Sequence, residues 1–409
     1  MKTNLKKIRK SSIALSNLSE NRLNLFLLYL AIIIEKRKQE IINANKIDVV
    51  NARKNKLLQS FIQRLIFDSV AIDNMQERIE HLKKLKSGIG EIIESKKNDQ
   101  GLIIQKVRVP LGVLLVIYES RPEVTIDVAI LCIKSGNAVI LKGGSDAKHT
   151  NEALYSCIKN ALKKAKLPLE IVNMISSREE TNQLLVKSDE IDLVIARGSY
   201  GMVRSILDNS KIPVLAHSAG GARIFVDKSA DLRMAEKIIM SSKISKPSAC
   251  NSLDTIVVHQ SIAKKFIQRI VSLFLSKNIK VIGDDKVNNI IKVHIAKNKD
   301  WGTEFLGLTI SIKIVKDIVE AGEFINEHSK KHSEGIIAKD KKVIKYFTNT
   351  IDCAALFINC SPRLHDGYIF GLGSEMGIAT GKLHARGPVG LKELTTYKWE
   401  IYGKGNIRK

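Results

Sequence analysis

From about residue 12 to 97 the apolar positions recur at three- and four-residue spacings, as at Ile62, Leu65 and Ile66, with few glycines and no proline. That spacing predicts a helical N-terminal part. The period changes after Asn98-Asp99. Residues 102–110 (LIIQKVRVP) alternate in part, and 112–119 (GVLLVIYE) form a near-continuous β-rich run of the kind buried in a parallel sheet. A helix over 124–134, a turn at Ser135-Gly136-Asn137 and a buried strand over 138–142 follow. The alternation continues with a helix at 147–165, a strand at 171–175, a short helix near 179–187 and a strand at 191–197. A helix after Gly198 and a strand at 212–217 complete the series. Strands and helices alternating at this spacing predict a doubly wound parallel sheet.

A second α/β block starts near Asp227. It reads as a helix at 231–243, a KPSACN turn at 246–251, a strand at 252–259, a helix at 261–276 and the KVIGD segment. A strand at 308–315, a helix at 316–328 and a strand at 354–359 follow. The tail, 396–409, alternates and is broken by Gly403-Lys404-Gly405, which predicts an exposed hairpin or arm. No Pro- or Ser-rich linker divides the blocks.

Composition sharpens this picture in three ways. The 409 residues are 44% hydrophobic and 26% charged, a globular composition with room for about two to three domains. The net charge is +24, from 66 Lys and Arg against 42 Asp and Glu, which raises a nucleic-acid or anionic-membrane partner. The basic residues are mostly Lys, however, and are spread through segments such as 83–88, 163–166 and 339–345. Lys, Ile and Asn are all favoured by AT-rich codons, so codon drift accounts for the charge more simply than a nucleic-acid partner. The five cysteines are odd in number and form no CxxC pair, which points to a reducing compartment and no structural metal. The apolar run at 23–34 is too short to cross a membrane and ends in Glu35-Lys36-Arg37-Lys38, so a buried helix and a cytoplasmic protein are expected.

Three segments could carry chemistry. Cys250 lies between a Pro-containing turn and a strand, where a thiolate could face a cleft, although most free cysteines are small buried hydrophobes. Lys142-Gly143-Gly144-Ser145 and Arg197-Gly198-Ser199 each follow a strand, at the carboxyl edge where open α/β sheets bind nucleotides. Plain tight turns explain these glycines equally well. The Gly-rich stretch 371–388, with His384 and Arg386, would suit an anion or be a solvated loop.

Taken together, four segments resemble the γ-glutamyl phosphate reductases, also called glutamate-5-semialdehyde dehydrogenases, of the aldehyde dehydrogenase superfamily. They are residues 110–147 (with YESRP and KSGNAVILKGG), 246–259 (KPSACNSLDTIVVH), 300–306 (DWGTEFL) and 373–398 (with KLHARGP). The resemblance implies an aldehyde dehydrogenase-like fold of two doubly wound α/β domains with a β-arm for oligomerisation. The cofactor domain would span 1–228, the catalytic domain 229–358, and 359–409 would return to the first domain and the arm, with 102–109 contributing to it. The implied activity is NADPH-dependent reduction of L-glutamyl 5-phosphate to L-glutamate 5-semialdehyde with release of phosphate, in proline synthesis.

The same resemblance implies roles for single residues. Cys250 would be the nucleophile that forms a thioester; its own backbone N–H and the Asn251 side chain are candidate oxyanion donors by proximity alone. Lys142 and Glu304 would contact the cofactor ribose, with Gly143 beside them, and Gly198 and Ser199 the pyrophosphate or nicotinamide. On charge alone, Lys142 and the GGSDAK loop, with Lys148 a further cation, suit NADPH. Beyond what the resemblance implies, Glu119, Ser120, Arg121, Lys382, His384 and Arg386 are chosen for the charged ends of the substrate. The expected partners are the acyl phosphate and phosphate, a second copy of the chain, and a separate glutamate 5-kinase in transient contact. No nucleic acid and no membrane are expected.

The chain departs from the family at two places. The family's IPRG is Ile195-Ala196-Arg197-Gly198, and its Cys-His pair before the next strand is Ala222-Arg223. The region of His217 also lacks the glutamate that activates water elsewhere in the superfamily, which suits an acyl acceptor other than water. Two other readings remain at this point: another acylating aldehyde dehydrogenase, on an N-acyl or CoA substrate, and a decayed chain whose basic surface binds RNA.

Overall fold

A computed structural model describes residues 3–119, 121–217 and 220–408, apart from the side chains of Ser60 and His217. The chain forms two compact units. One comprises Met1–Ser218, Phe370–Gly377 and Leu383–Lys409, and the other Ala219–Ile369 and Ile378–Lys382.

The first unit opens with helices Leu5–Ser16, Glu20–Lys36, Lys38–Lys54, Gln59–Leu65 and Ser69–Lys84. Side chains of Asn4 and Asp68 accept from Lys7 N and Ala71 N, closing the exposed N–H groups of the helices they precede. The apolar run of Glu20–Lys36 buries Leu23, Phe26, Leu27, Leu30 and Ile34, as a core helix should. The helical part stops at Lys84 and not at 97. Residues Ile92–Lys97 form a strand antiparallel to Ile103–Pro110, after Gly88 and Gly90 turn the chain with φ of +79° and +80°. Every residue of this strand is exposed, so it has no burial period for the sequence to display.

The main sheet of this unit is parallel, in the order Val172–Met174, Ala138–Lys142, Val113–Tyr118, Leu193–Arg197, Val214–His217. Val113–Tyr118 is buried throughout, at the centre. The chain winds outward from it one way, then returns to its other side, so the topological switch lies beside the carboxyl ends of Val113–Tyr118 and Leu193–Arg197. The C-terminal segment is one strand, Thr395–Tyr402, paired with Ile103–Pro110, rather than a hairpin. Gly403 and Gly405 end it, and Asn406 turns back to donate to the Gln100 carbonyl.

The second unit is built on a seven-stranded sheet in the order His294–Ile295, Lys280–Gly283, Thr309–Val315, Leu253–His259, Ala222–Val226, Ser333–Ile337, Ala355–Ile358. Its core packs Phe266, Ile270 and Phe274 of helix Gln260–Leu275 against Ile256, Val258 and Ile312. The boundaries expected at 228 and 358 shift outward. Ala222–Val226 hydrogen-bonds between Leu253–His259 and Ser333–Ile337, and residues through Ile369 stay with this sheet. Strand Ser333–Ile337 and helix Lys341–Thr350 were not anticipated. The first is short and carries a buried Glu334, and the second reads in sequence as a basic run.

Candidate functional site

The first unit holds a cavity of about 650 Å³ at its topological switch, lined by Tyr118, Glu119, Lys142, Ser145, Arg178 and Ser199 among others. Glu119 sits just past its strand and accepts from Ser199 N at 2.7 Å and from Ser199 Oγ at 3.4 Å. A Cβ on Gly198 would lie 2.5 Å from Glu119 Oε2 and from Met202 Cε, so a larger residue there would push these two side chains aside. Lys142 Nζ donates to the Gly143 carbonyl at 3.1 Å. Burial pulls its pKa down and neighbouring Arg178 adds to that, while Glu119 and Asp146 act against it. A Cβ at Gly143 would meet Asn151 Nδ2 at 2.3 Å and displace that side chain. Two cations over a small-residue turn at a sheet's carboxyl edge could hold the phosphates of a dinucleotide.

The second unit carries Cys250 at the opposite kind of edge, where its strands begin. Ala249 N donates to the Lys246 carbonyl at 3.0 Å and Ser252 N to the Ala249 carbonyl at 3.0 Å, so two successive turns present the cysteine. Gly221 N donates to the Cys250 carbonyl at 2.6 Å. A Cβ on Gly220 would stand 2.5 Å from Cys250 Cβ, so a glycine is needed where these loops meet. Gly220 N in turn donates to Glu304 Oε2 at 3.2 Å, which brings that carboxylate to the loop packed on the cysteine.

The match to known proteins is extensive. The aldehyde dehydrogenase family model covers residues 14–300. A γ-glutamyl phosphate reductase of Dictyoglomus thermophilum is 41% identical over 99% of this chain and 98% of its own. One from Carboxydothermus hydrogenoformans is 39% identical over 98% of each. The crystal structure of the γ-glutamyl phosphate reductase of Thermotoga maritima superposes with a TM-score of 0.95 at 40% identity, covering 99% of both chains. The chain belongs to the γ-glutamyl phosphate reductases of the aldehyde dehydrogenase family. It is an oxidoreductase of a family that works with a nicotinamide cofactor. An acetylating aldehyde dehydrogenase of Geobacillus thermoglucosidasius, at 15% identity and a TM-score of 0.71, shares the fold.

Within this reductase framework several residues stand elsewhere than the sequence suggested. The Asn251 amide, expected beside the nucleophile, is hydrogen-bonded to the 363–365 segment. Its side chain is 4% exposed, and its Nδ2 donates to the His365 carbonyl at 3.0 Å and the Arg363 carbonyl at 3.4 Å, while Oδ1 accepts from Arg363 Nη1. Adjacency in sequence places it next to the nucleophile, but its rotamer points it into the 361–365 segment. Glu119 was grouped with the substrate, yet it lines the cavity of the first unit with Lys142 and Ser199. Arg121 is half-buried beside that sheet, and Ser120 lies outside the described residues. The cations of the Gly-rich stretch are divided. Lys382 belongs to the second unit, 3.1 Å from Asp352, whereas His384 belongs to the first and its Nε2 lies 2.9 Å from the Glu393 carbonyl. Arg386 is half-buried, and the stretch is solvated only in part, since Met376 and Ala379 are buried while residues 381–384 are exposed.

The Ala222-Arg223 departure has a structural account. Arg223 is 1% exposed, with Nη1 3.2 Å from Glu334 Oε1, and its backbone N–H donates to Glu334 Oε2 at 3.0 Å. Its Nη2 also reaches the His328 carbonyl, so the side chain braces the interior, although its buried Nε has no partner among the described residues. Burial raises the Glu334 pKa, and Arg223 opposes that rise. Lys243 and Asp254 form a second buried pair at 3.5 Å, and Asp254 Oδ1 accepts from Phe305 N at 3.2 Å, fixing the residue after Glu304.

Arg178, Arg363 and the Gly220–Gly221 turn were missed. Arg178 had a visible signal, since it follows a predicted strand at the same carboxyl edge as Lys142. Of the other cysteines, Cys132 and Cys157 are buried, and burial raises both thiols, Cys157 to about 11.

Proposed function

We propose that the chain reduces L-glutamyl 5-phosphate to L-glutamate 5-semialdehyde with NADPH, releasing phosphate, through a thioester on Cys250. The observation that carries this reading is the Cys250 loop, a half-buried cysteine on two tight turns, with Gly220 against its Cβ and Glu304 hydrogen-bonded to Gly220. Cys250 Sγ attacks the acyl carbon, the C–S bond forms, and the C–O bond to the phosphoryl group breaks. The thiol proton leaves on hydrogen phosphate, so thiol and acyl phosphate yield thioester and phosphate. The proposed oxyanion donor is the Cys250 backbone N–H, because the Asn251 amide is engaged elsewhere.

A bound nicotinamide supplies the hydride that turns the acyl group into an aldehyde. Lys142 and Arg178 would take the phosphates of that dinucleotide, and two cations in one cavity favour the 2′-phosphorylated form. Ser199, held by Glu119, would line the passage to the reactive end. The segment 215–223 contains no carboxylate to activate water, which supports phosphate as the acyl acceptor in the reverse direction. The proline-pathway role, a homo-oligomer built through strands Ile103–Pro110 and Thr395–Tyr402, and a partner kinase belong to this same reading. So does a cytoplasmic location. No described helix is long and apolar enough to cross a membrane.

The test is NADP⁺ reduction with glutamate semialdehyde (in equilibrium with its cyclic form) with and without phosphate. Turnover that requires phosphate and vanishes in Cys250→Ala supports the proposal. Turnover indifferent to phosphate, or retained in Cys250→Ala, contradicts it.

A further inference from the structure

Arg363 lies outside every motif that identifies the family above, in a segment that follows strand Ala355–Ile358. Ser361 and Pro362 begin a short turn whose first N–H groups are closed by the Ser361 hydroxyl, which accepts from Arg363 N at 3.2 Å. From there the side chain spans the base of the cysteine loop. Nε donates to Ser245 Oγ at 3.3 Å, Nη1 donates to Asn251 Oδ1, and the Arg363 carbonyl accepts from Asn251 Nδ2. Ser245 and Asn251, the two side chains that the guanidinium contacts, stand at either end of residues 246–250, which include Cys250.

The guanidinium is half-buried. Among the described residues no carboxylate lies within ion-pair distance of it and its Nη2 has no hydrogen-bond partner. This contrasts with Arg223, a fully buried guanidinium matched to Glu334. Burial pulls the Arg363 pKa down, and the charges that act against this are Cys250, then Asp366. Asp366 is itself engaged, accepting from Tyr368 N at 2.9 Å. A half-buried cation beside a nucleophilic thiol, without a carboxylate partner of its own, is placed to receive an anion.

We propose that Arg363 binds the phosphoryl group at the acyl-transfer site: Nε and Nη1 lock the cysteine loop, and Nη2 donates to the phosphate of the incoming acyl phosphate and of the departing inorganic phosphate. This rests on the reaction proposed above. Phosphate is favoured over the substrate's own carboxylate because the phosphoryl group is bonded to the carbon that Cys250 attacks, whereas the carboxylate lies at the far end of the substrate.

Two measurements on Arg363→Met and Arg363→Lys test it. In phosphate-dependent NADP⁺ reduction, Arg363→Met should raise KM for phosphate about 10- to 100-fold, with KM for the semialdehyde within about twofold of wild type, and Arg363→Lys should lie between. Separately, inorganic phosphate should slow iodoacetamide alkylation of Cys250, read by peptide mass, in the wild type and not in Arg363→Met. Thermal unfolding shows whether Arg363→Met is folded; if it is not, Arg363→Lys carries both readouts. Phosphate protection retained in a folded variant overturns the proposal, as does a rise in the semialdehyde KM with the phosphate KM unchanged. The alkylation experiment needs no turnover. A wild type that is protected by phosphate but turns over without it therefore sinks the proposed reaction and leaves the anion site standing.

Discussion

The two candidate regions sit at opposite edges of parallel sheets and handle charge in opposite ways. In the first unit Lys142, Arg178 and Glu119 line an open cavity beyond the strands' carboxyl ends. In the second, Cys250 stands where strands begin, above the pairs Arg223–Glu334 and Lys243–Asp254, all buried. Charges facing a cavity stay available to a ligand, while charges sealed in pairs hold backbone in place. The Lys243–Asp254 pair anchors Phe305 and thereby Glu304, and Arg223 ties the strand after Gly220–Gly221 to Ser333–Ile337. Arg363 is the exception, a cation on the second side that keeps the habit of the first.

The sharpest way to break this contrast is Arg223→Met. It leaves Glu334 buried without its cation, which should cost about 3–5 kcal/mol in urea unfolding. Arg223→Met with Glu334→Leu should recover most of the loss. A loss below about 1 kcal/mol for the single variant would mean that the pair is not a brace.

A smaller effect concerns pH. His365 is buried, and burial, with His332 beside it, pushes its pKa down from 6.5 to about 3. As pH falls below 6.5 the unfolded chain takes up this proton and the folded chain does not. The contribution is therefore whole at neutral pH and lost progressively between 6.5 and 3. By pH 5 the loss amounts to roughly 2 kcal/mol. His365→Gln should remove that share of the acid dependence from the unfolding midpoint, and an unchanged slope would refute the buried neutral state. Smallest is Arg178→Met, which should raise KM for NADPH about tenfold while leaving NADH unaffected. Equal effects on both cofactors would move Arg178 away from a 2′-phosphate.

What could be read from the chain follows from the same contrast. The runs at 113–118 and 138–142 are buried on both faces, so composition alone marks them as central strands, and the edge beyond them is where such sheets take ligands. Ile92–Lys97 is exposed on both faces and leaves no period. The second site resists reading for another reason. Its parts, Gly220, Cys250, Glu304 and Arg363, come from four loops, and only the sheet order brings their strands together. Asn251 shows the limit most plainly, since its neighbour's chemistry said nothing about which way its amide turned. Family resemblance supplied Cys250 and Glu304, but the replacement at 223 became intelligible only once Glu334 was seen opposite it.

The central claim is that acyl transfer to phosphate passes through Cys250. Rapid mixing of the protein with NADP⁺ and glutamate semialdehyde in phosphate-free buffer tests it most directly. The account predicts a burst of about one NADPH per chain that then stops, with the glutamyl group found on Cys250 by mass, and steady turnover once phosphate is added. Continued turnover without phosphate, or a burst that persists in Cys250→Ala, would contradict it.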